Sequence, residues 1–141
     1  GPARIAVSVP SFNEYENATT PAHLVKVELA PPGFELDVDA FADRVRQGGA
    51  QIAIVVSPNN PTSLAVPRAE LLRLCSALDA SGATMVLDES FTDFTEDPRH
   101  FSLADEVPRR GAKEIAPELV RVLLGCVREF IGERLDGEAV V

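Results

Sequence analysis

Apolar positions along the chain fall into four short runs separated by helical or polar stretches. Arg4-Ile5-Ala6-Val7-Ser8-Val9 is rich in β-branched residues and stops at Pro10, the mark of a strand. A short helical segment follows over 12–18. From His23 to Leu29 the apolar residues Val25, Val27 and Leu29 alternate with Lys26 and Glu28, and Pro31-Pro32-Gly33 ends the run. That alternation predicts a half-buried strand near a sheet edge. Asp37 and Asp39 then precede Phe41 and Val45 at helical spacing, so the acids stand where a helix dipole favours them, and Gly48-Gly49 stops the helix. Gln51-Ile52-Ala53-Ile54-Val55-Val56 is nearly continuous and apolar, as in a parallel strand covered on both faces. Pro67 suits the start of a helix through Leu71, Leu74, Cys75 and Leu78 to Gly82, and Ala83-Thr84-Met85-Val86-Leu87 is the fourth strand.

Strand, helix, strand, helix, strand with short connections predicts an α/β fold with right-handed crossovers and a mainly parallel, doubly wound sheet. After Phe94 the chain becomes polar and is broken by Pro98 and Pro108; from Pro117 to Leu135 a helical stripe returns, with Val120, Leu123, Leu124, Val127, Phe130 and Ile131 on one face. The expected organisation is an α/β segment over 1–98, a linker over 99–116, an amphipathic helix over 117–135 that packs on the sheet or on a partner, and a tail over 136–141.

Composition narrows the function. The 141 residues carry 13 Lys plus Arg against 22 Asp plus Glu, a net charge of −9, which disfavours nucleic acid as a partner. A 45% hydrophobic and 25% charged content is that of a folded globular chain. No apolar stretch approaches the roughly 18 to 20 residues of a membrane-spanning helix, and no signal-peptide pattern is seen, so a cytoplasmic chain is expected. Cys75 and Cys126 sit in separate apolar helical patterns and read as reduced packing residues; neither a disulfide framework nor a metal knuckle is expected.

In open α/β sheets ligands bind at the carboxyl ends of the strands, and two loops there hold unusual residues. Ser57-Pro58-Asn59-Asn60-Pro61-Thr62 fixes two adjacent amides between prolines, either as a rigid turn that caps the next helix or as a binding loop. Leu87-Asp88-Glu89-Ser90-Phe91-Thr92-Asp93-Phe94 places an acid directly after an apolar strand, either as a helix cap or against a cation or ligand.

Together with Pro10-Ser11-Phe12-Asn13-Glu14-Tyr15-Glu16, these loops resemble the large domain of class I/II aminotransferases, the fold-type I pyridoxal-phosphate enzymes. The resemblance runs from Arg4 to Phe94 and looks most like the branch of histidinol-phosphate aminotransferase and threonine-phosphate decarboxylase. It implies pyridoxal phosphate as cofactor, with Asp88 against the ring nitrogen, Asn60 donating to the phenolic oxygen, Phe91 where many members have a tyrosine, and Tyr15 on the substrate-side wall. Ser63 stands where the family usually has glycine. The resemblance also implies an amino-acid or amino-phosphate substrate and a homodimer or a complementing chain.

Other family features have no match in the sequence. The lysine that forms the Schiff base follows a Ser-x-x-Lys pattern, whereas the lysines here are Lys26, inside the alternating strand, and Lys113, in Gly-Ala-Lys-Glu. The glycine-rich phosphate loop and the substrate-carboxylate arginine are missing as well, and Arg109-Arg110 lies in a polar loop. Three readings follow: a fragment or degenerate form of such an enzyme, inactive alone and possessing no catalytic residue of its own; a non-catalytic binding or scaffolding domain that uses its last helix; and a small flavodoxin-like domain that binds metal or phosphate through Asp88, Glu89 and Asp93.

Overall fold

The computed structural model describes residues 3–106. Four strands, β1 (Ile5–Val9), β2 (Leu24–Glu28), β3 (Ile52–Val56) and β4 (Thr84–Asp88), form one sheet in the order β2-β1-β3-β4. Every pairing is parallel, with Ile5 opposite Leu24 and Ile52, and Val56 opposite Asp88. Three helices connect them: α1 (Asn13–Asn17), α2 (Val38–Gly48) and α3 (Arg68–Ala80).

The expected α/β architecture with a parallel sheet is therefore present. Each expected strand forms, and the alternating His23–Leu29 run lies at the sheet edge as β2, with Val25 and Val27 buried and Lys26 and Glu28 exposed. All five residues of β3 are buried, as a strand between two others and covered on both faces requires. Asp37 caps α2 by accepting from the N–H groups of Asp39 (3.1 Å) and Ala40 (3.0 Å), and Gly49 closes the helix at φ 62°, a backbone angle that costs glycine nothing. Pro67 stands one residue before α3 as its cap instead of inside its first turn.

Two apolar layers sandwich the sheet. On one face Val38, Phe41 and Val45 of α2 and Leu71, Leu74 and Leu78 of α3 pack on Ala6, Val25, Val27, Ala53 and Val55. On the other, Ile5, Val7, Ile52, Ile54 and Val56 pack with Tyr15 and Phe12.

Of the span expected to be a linker, residues 99–106 are described, and they pack back on the domain. Leu103 is buried in the helical layer. Arg68 reaches Ser102 O (2.5 Å), Asp105 (2.7 Å) and Glu106 (2.7 Å) from the start of α3. Polar composition concealed this packing because it rests on one leucine, Leu103, and on contacts from Arg68 and Glu89, both distant in the chain. The expected helix over 117–135, with Cys126, lies outside the described residues.

Candidate functional site

The carboxyl ends of β1, β3 and β4 bring the two unusual loops and the 10–16 segment together. Parallel pairing makes this unavoidable, because every strand ends on the same side of the sheet. Asp88 ends β4. Tyr15, buried on α1, donates its hydroxyl proton to Asp88 Oδ2. The Tyr15 ring is fixed edge-on against Phe12, with centroids 6.0 Å apart. Asp88 Oδ1 accepts from the N–H of Ser90 (2.9 Å) and from its hydroxyl (2.5 Å), an Asx turn that aims the carboxylate. A carboxylate offers about four acceptor sites. Among the described residues three are taken, so one on Oδ2 is left for a further donor.

The loop after β3 is tied down at both ends. Ser57 N–H donates to Asp88 O (3.0 Å), and Ser57 Oγ accepts from Val66 N–H (2.8 Å). Asn59 is buried and works as a clamp: its Nδ2 donates to Pro10 O and to Thr62 Oγ1, both at 3.0 Å, and its N–H donates to Leu64 O (2.8 Å). The two adjacent amides are thus separated. Asn59 holds the loop against the end of β1, while Asn60 is left exposed on a cavity of about 400 Å³. Pro58, Asn59, Asn60, Ser63, Phe91, Phe94 and Thr95 line that cavity, a size within the range of small-molecule sites. Among the described residues its lining contains no lysine or arginine.

Asn60 and Phe91 therefore meet across one cavity, and Asp88 stands three residues before Phe91 without lining it. Phe91 lies against Phe94 at 6.2 Å between centroids; Phe94 is 85% exposed. Tyr15, expected on the substrate-side wall, is 6% exposed, and its hydroxyl donates to Asp88. Glu89 turns away from the site, accepting from Leu103 N–H (2.6 Å) and Ser102 hydroxyl (2.8 Å). Among the described residues no cluster of His, Cys, Asp and Glu could hold a metal ion, so Asp88, Glu89 and Asp93 do not converge as the flavodoxin-like reading needs. Lys26 sits on the β2 edge in an ion pair with Glu16. Lys113, Arg109 and Arg110 lie outside the described residues.

Sequence reasoning missed Ser90 and the clamping role of Asn59. A serine two positions after a strand-terminal Asp is a signal for an Asx turn and could have revealed the first. Nothing local tells which of two adjacent asparagines turns inward.

The model of the family "Aminotransferase class I and II" matches residues 2–120 of the chain. The chain is 47% identical over 92 residues to a CMP-5'-(3-aminopropyl)phosphonate synthase of Streptomyces rubellomurinus, a match covering 65% of this chain and 14% of that protein. To a histidinol-phosphate aminotransferase of Mycobacterium ulcerans it is 35% identical over 112 residues, 78% of this chain and 28% of the relative. The solved histidinol-phosphate aminotransferase of Clostridium acetobutylicum superposes with a TM-score of 0.62 at 26% identity, over 76% of this chain and 31% of that one. The chain thus spans less than a third of the length of each of these proteins.

Proposed function

We propose, since this chain belongs to the aminotransferase class I and II family, that it supplies the ring-binding part of a pyridoxal-phosphate site and lacks the means to turn over a substrate by itself. The observation that carries this reading is Asp88, held from both sides at the carboxyl end of β4 with one acceptor site on Oδ2 left by the described residues.

The residues present fit one portion of the cofactor. Pyridoxal phosphate, when bound, acts as an electron sink, provided that its ring nitrogen stays protonated. Asp88 is the group to hold that proton, because a carboxylate beside the nitrogen favours the charged form. Tyr15 and Ser90 fix the direction of the carboxylate, so no reorientation is needed on binding. Asn60 offers an amide N–H to the phenolic oxygen from the cavity wall. Phe91 lacks the hydroxyl that would be a second donor there and contributes an apolar wall instead. Among the described residues the cavity lining has no cation for the phosphate group, so in this reading that group depends on residues outside the described lining.

No lysine in the described residues faces this cavity, and Lys26 is held on a sheet edge by Glu16. This supports a domain that binds without turnover. In the longer relatives' terms, the reading extends to an amino-acid or amino-phosphate substrate and to a homodimer or complementing chain for the complete site.

Titration of the purified chain with pyridoxal phosphate, followed by absorbance with and without borohydride, tests the reading. A saturable spectral shift that is lost in Asp88→Ala and weakened in Asn60→Ala, without borohydride trapping, is expected. Turnover of an amino-acid substrate, or trapping at Lys113 or Lys26, would overturn the claim of inactivity. A shift unchanged in Asp88→Ala would overturn the assignment of the site.

A further inference from the structure

We infer that Asn59 is a positioning residue of the site: through its side chain it sets where the neighbouring Asn60 stands relative to Asp88. This rests on the reading of Asn60 and Asp88 as the two contacts to the pyridoxal-phosphate ring.

The turn that carries Asn60 is bonded mostly to itself. Asn59 N–H donates to Leu64 O (2.8 Å), Asn59 O accepts from Ser63 N–H (2.7 Å), and Leu64 N–H approaches Thr62 Oγ1 at 3.4 Å. Pro58 and Pro61, on either side of the two amides, have no N–H with which to tie the turn to its surroundings. Among the described residues, the hydrogen bond that leaves the stretch 58–64 is the one from Asn59 Nδ2 to Pro10 O (3.0 Å). Ser57 is bound to β4 through Asp88 O, which fixes where the turn starts but not where Asn60 stands.

Pro10 is a firm anchor. It follows β1 directly, and β1 is paired on both sides, with β2 and with β3. A carbonyl oxygen can only accept, so a side chain that binds Pro10 O must bring a proton. The Asn59 carboxamide has two and uses both: the second goes to Thr62 Oγ1 (3.0 Å), which fixes the rotation of the group. An ionised aspartate would have the same shape and no proton to donate. Asn59 is held by both of its backbone groups and joined to Asn60 by one planar peptide bond, so a displacement of Asn59 is passed on to Asn60. From Pro10 the chain runs on to Tyr15, which donates to Asp88. Asn59 thus links the turn that presents Asn60 to the segment that orients Asp88, and a ring held between those two groups needs both in register.

The test is a titration of the full chain with pyridoxal phosphate, followed by absorbance, on the native chain, Asn59→Leu, Asn60→Ala and the double variant. Leucine branches at the same carbon as asparagine and cannot donate. One hydrogen bond is worth about 2- to 10-fold in affinity, and a weakening in that range is expected for Asn60→Ala and for Asn59→Leu alone. In the Asn60→Ala background Asn59→Leu is expected to change affinity by less than about 2-fold, because a positioning residue then has nothing left to position. A loss in that background as large as in the native chain would assign Asn59 to the stability of the fold and overturn the inference while the site stands as read; native affinity in Asn59→Leu would do the same. No saturable shift in the native chain, or one untouched by Asn60→Ala, would overturn the reading of the site and the inference with it. Thr62→Val, which removes the acceptor that orients the carboxamide, decides the matter where Asn59→Leu does not fold. Weaker binding in Thr62→Val, restored in Thr62→Ser, is expected, and native affinity in Thr62→Val would overturn the inference.

Discussion

Tyr15 on the five-residue helix α1 donates its hydroxyl proton to Asp88, 73 positions further along at the end of β4. This contact joins the first βα connection to the last strand of the described sheet and sets the direction of the carboxylate that ends β4. Tyr15→Phe retains the ring contact with Phe12 and removes only the donor. A hydrogen bond to a charged acceptor contributes about 1.5–3 kcal/mol, and Asp88 keeps its two contacts from Ser90, so a loss of about 1.5 kcal/mol is expected in urea unfolding. In a double-mutant cycle Tyr15→Phe is expected to cost nearly nothing once Asp88 is Ala. Equal costs in the two backgrounds would separate Tyr15 from Asp88.

Strands were the most legible part of the sequence, because periodicity is a local signal and the two strand types differ in it. Val25-Lys26-Val27-Glu28 alternates and lies at an edge; Ile52-Ala53-Ile54-Val55-Val56 does not alternate and lies inside. The site was legible only as far as its loops. Asp88, Asn60 and Phe91 could be singled out by position after a strand, but the partner of Asp88 lies on another loop, and sequence spacing carries no information about which tyrosine reaches it. The 99–106 segment was illegible for a related reason: its order comes from Arg68 and Glu89, both distant in the chain.

Ser63 adopts φ 62°, inside the left-handed region, at a position where the resembled family usually has glycine. A side chain there costs about 1–2 kcal/mol in backbone strain, and glycine returns about 0.5–1 kcal/mol of this through its greater freedom in the unfolded chain. Ser63→Gly is therefore expected to stabilise the protein by up to about 1 kcal/mol, whereas Ser63→Val, with a branched Cβ, destabilises it. Thermal unfolding of the two variants checks the order; a more stable valine variant would contradict the strain.

Gly48 ends α2 where the helix touches the sheet, and a Cβ at that position would stand 2.7 Å from Val25 Cγ1 and 2.9 Å from Cγ2. On an exposed helix Gly→Ala gains up to about 1 kcal/mol. Here the buried Val25 must shift, and overpacking of this kind costs about 1–3 kcal/mol. Gly48→Ala is expected to lower stability, and Val25→Ala in the same chain to recover part of the loss. Chemical denaturation of the two single variants and the double variant decides the matter: additive losses would mean that the two residues do not compete for space.

Arg73 on α3 bridges to Asp39 at the start of α2 (2.5 Å) and to Glu70 (2.6 Å). The Arg73 hydrogen bond holds the Asp39 carboxyl below its ordinary range against a smaller opposing effect of desolvation. The same contacts raise Arg73, which stays charged at every pH at which the fold is studied. A carboxyl lowered in the folded state contributes stability that is fully present above its unfolded pKa, near 4, and is lost as pH falls through its folded value. Both side chains are exposed, so the effect is small and screened by salt. Arg73→Gln is expected to lower the melting temperature slightly at pH 7, with the difference shrinking below about pH 4 and with added salt. Melting curves of both proteins from pH 7 to pH 3 check this. A difference that persists undiminished at pH 3 would assign the effect of Arg73 to packing rather than to its pairing with Asp39.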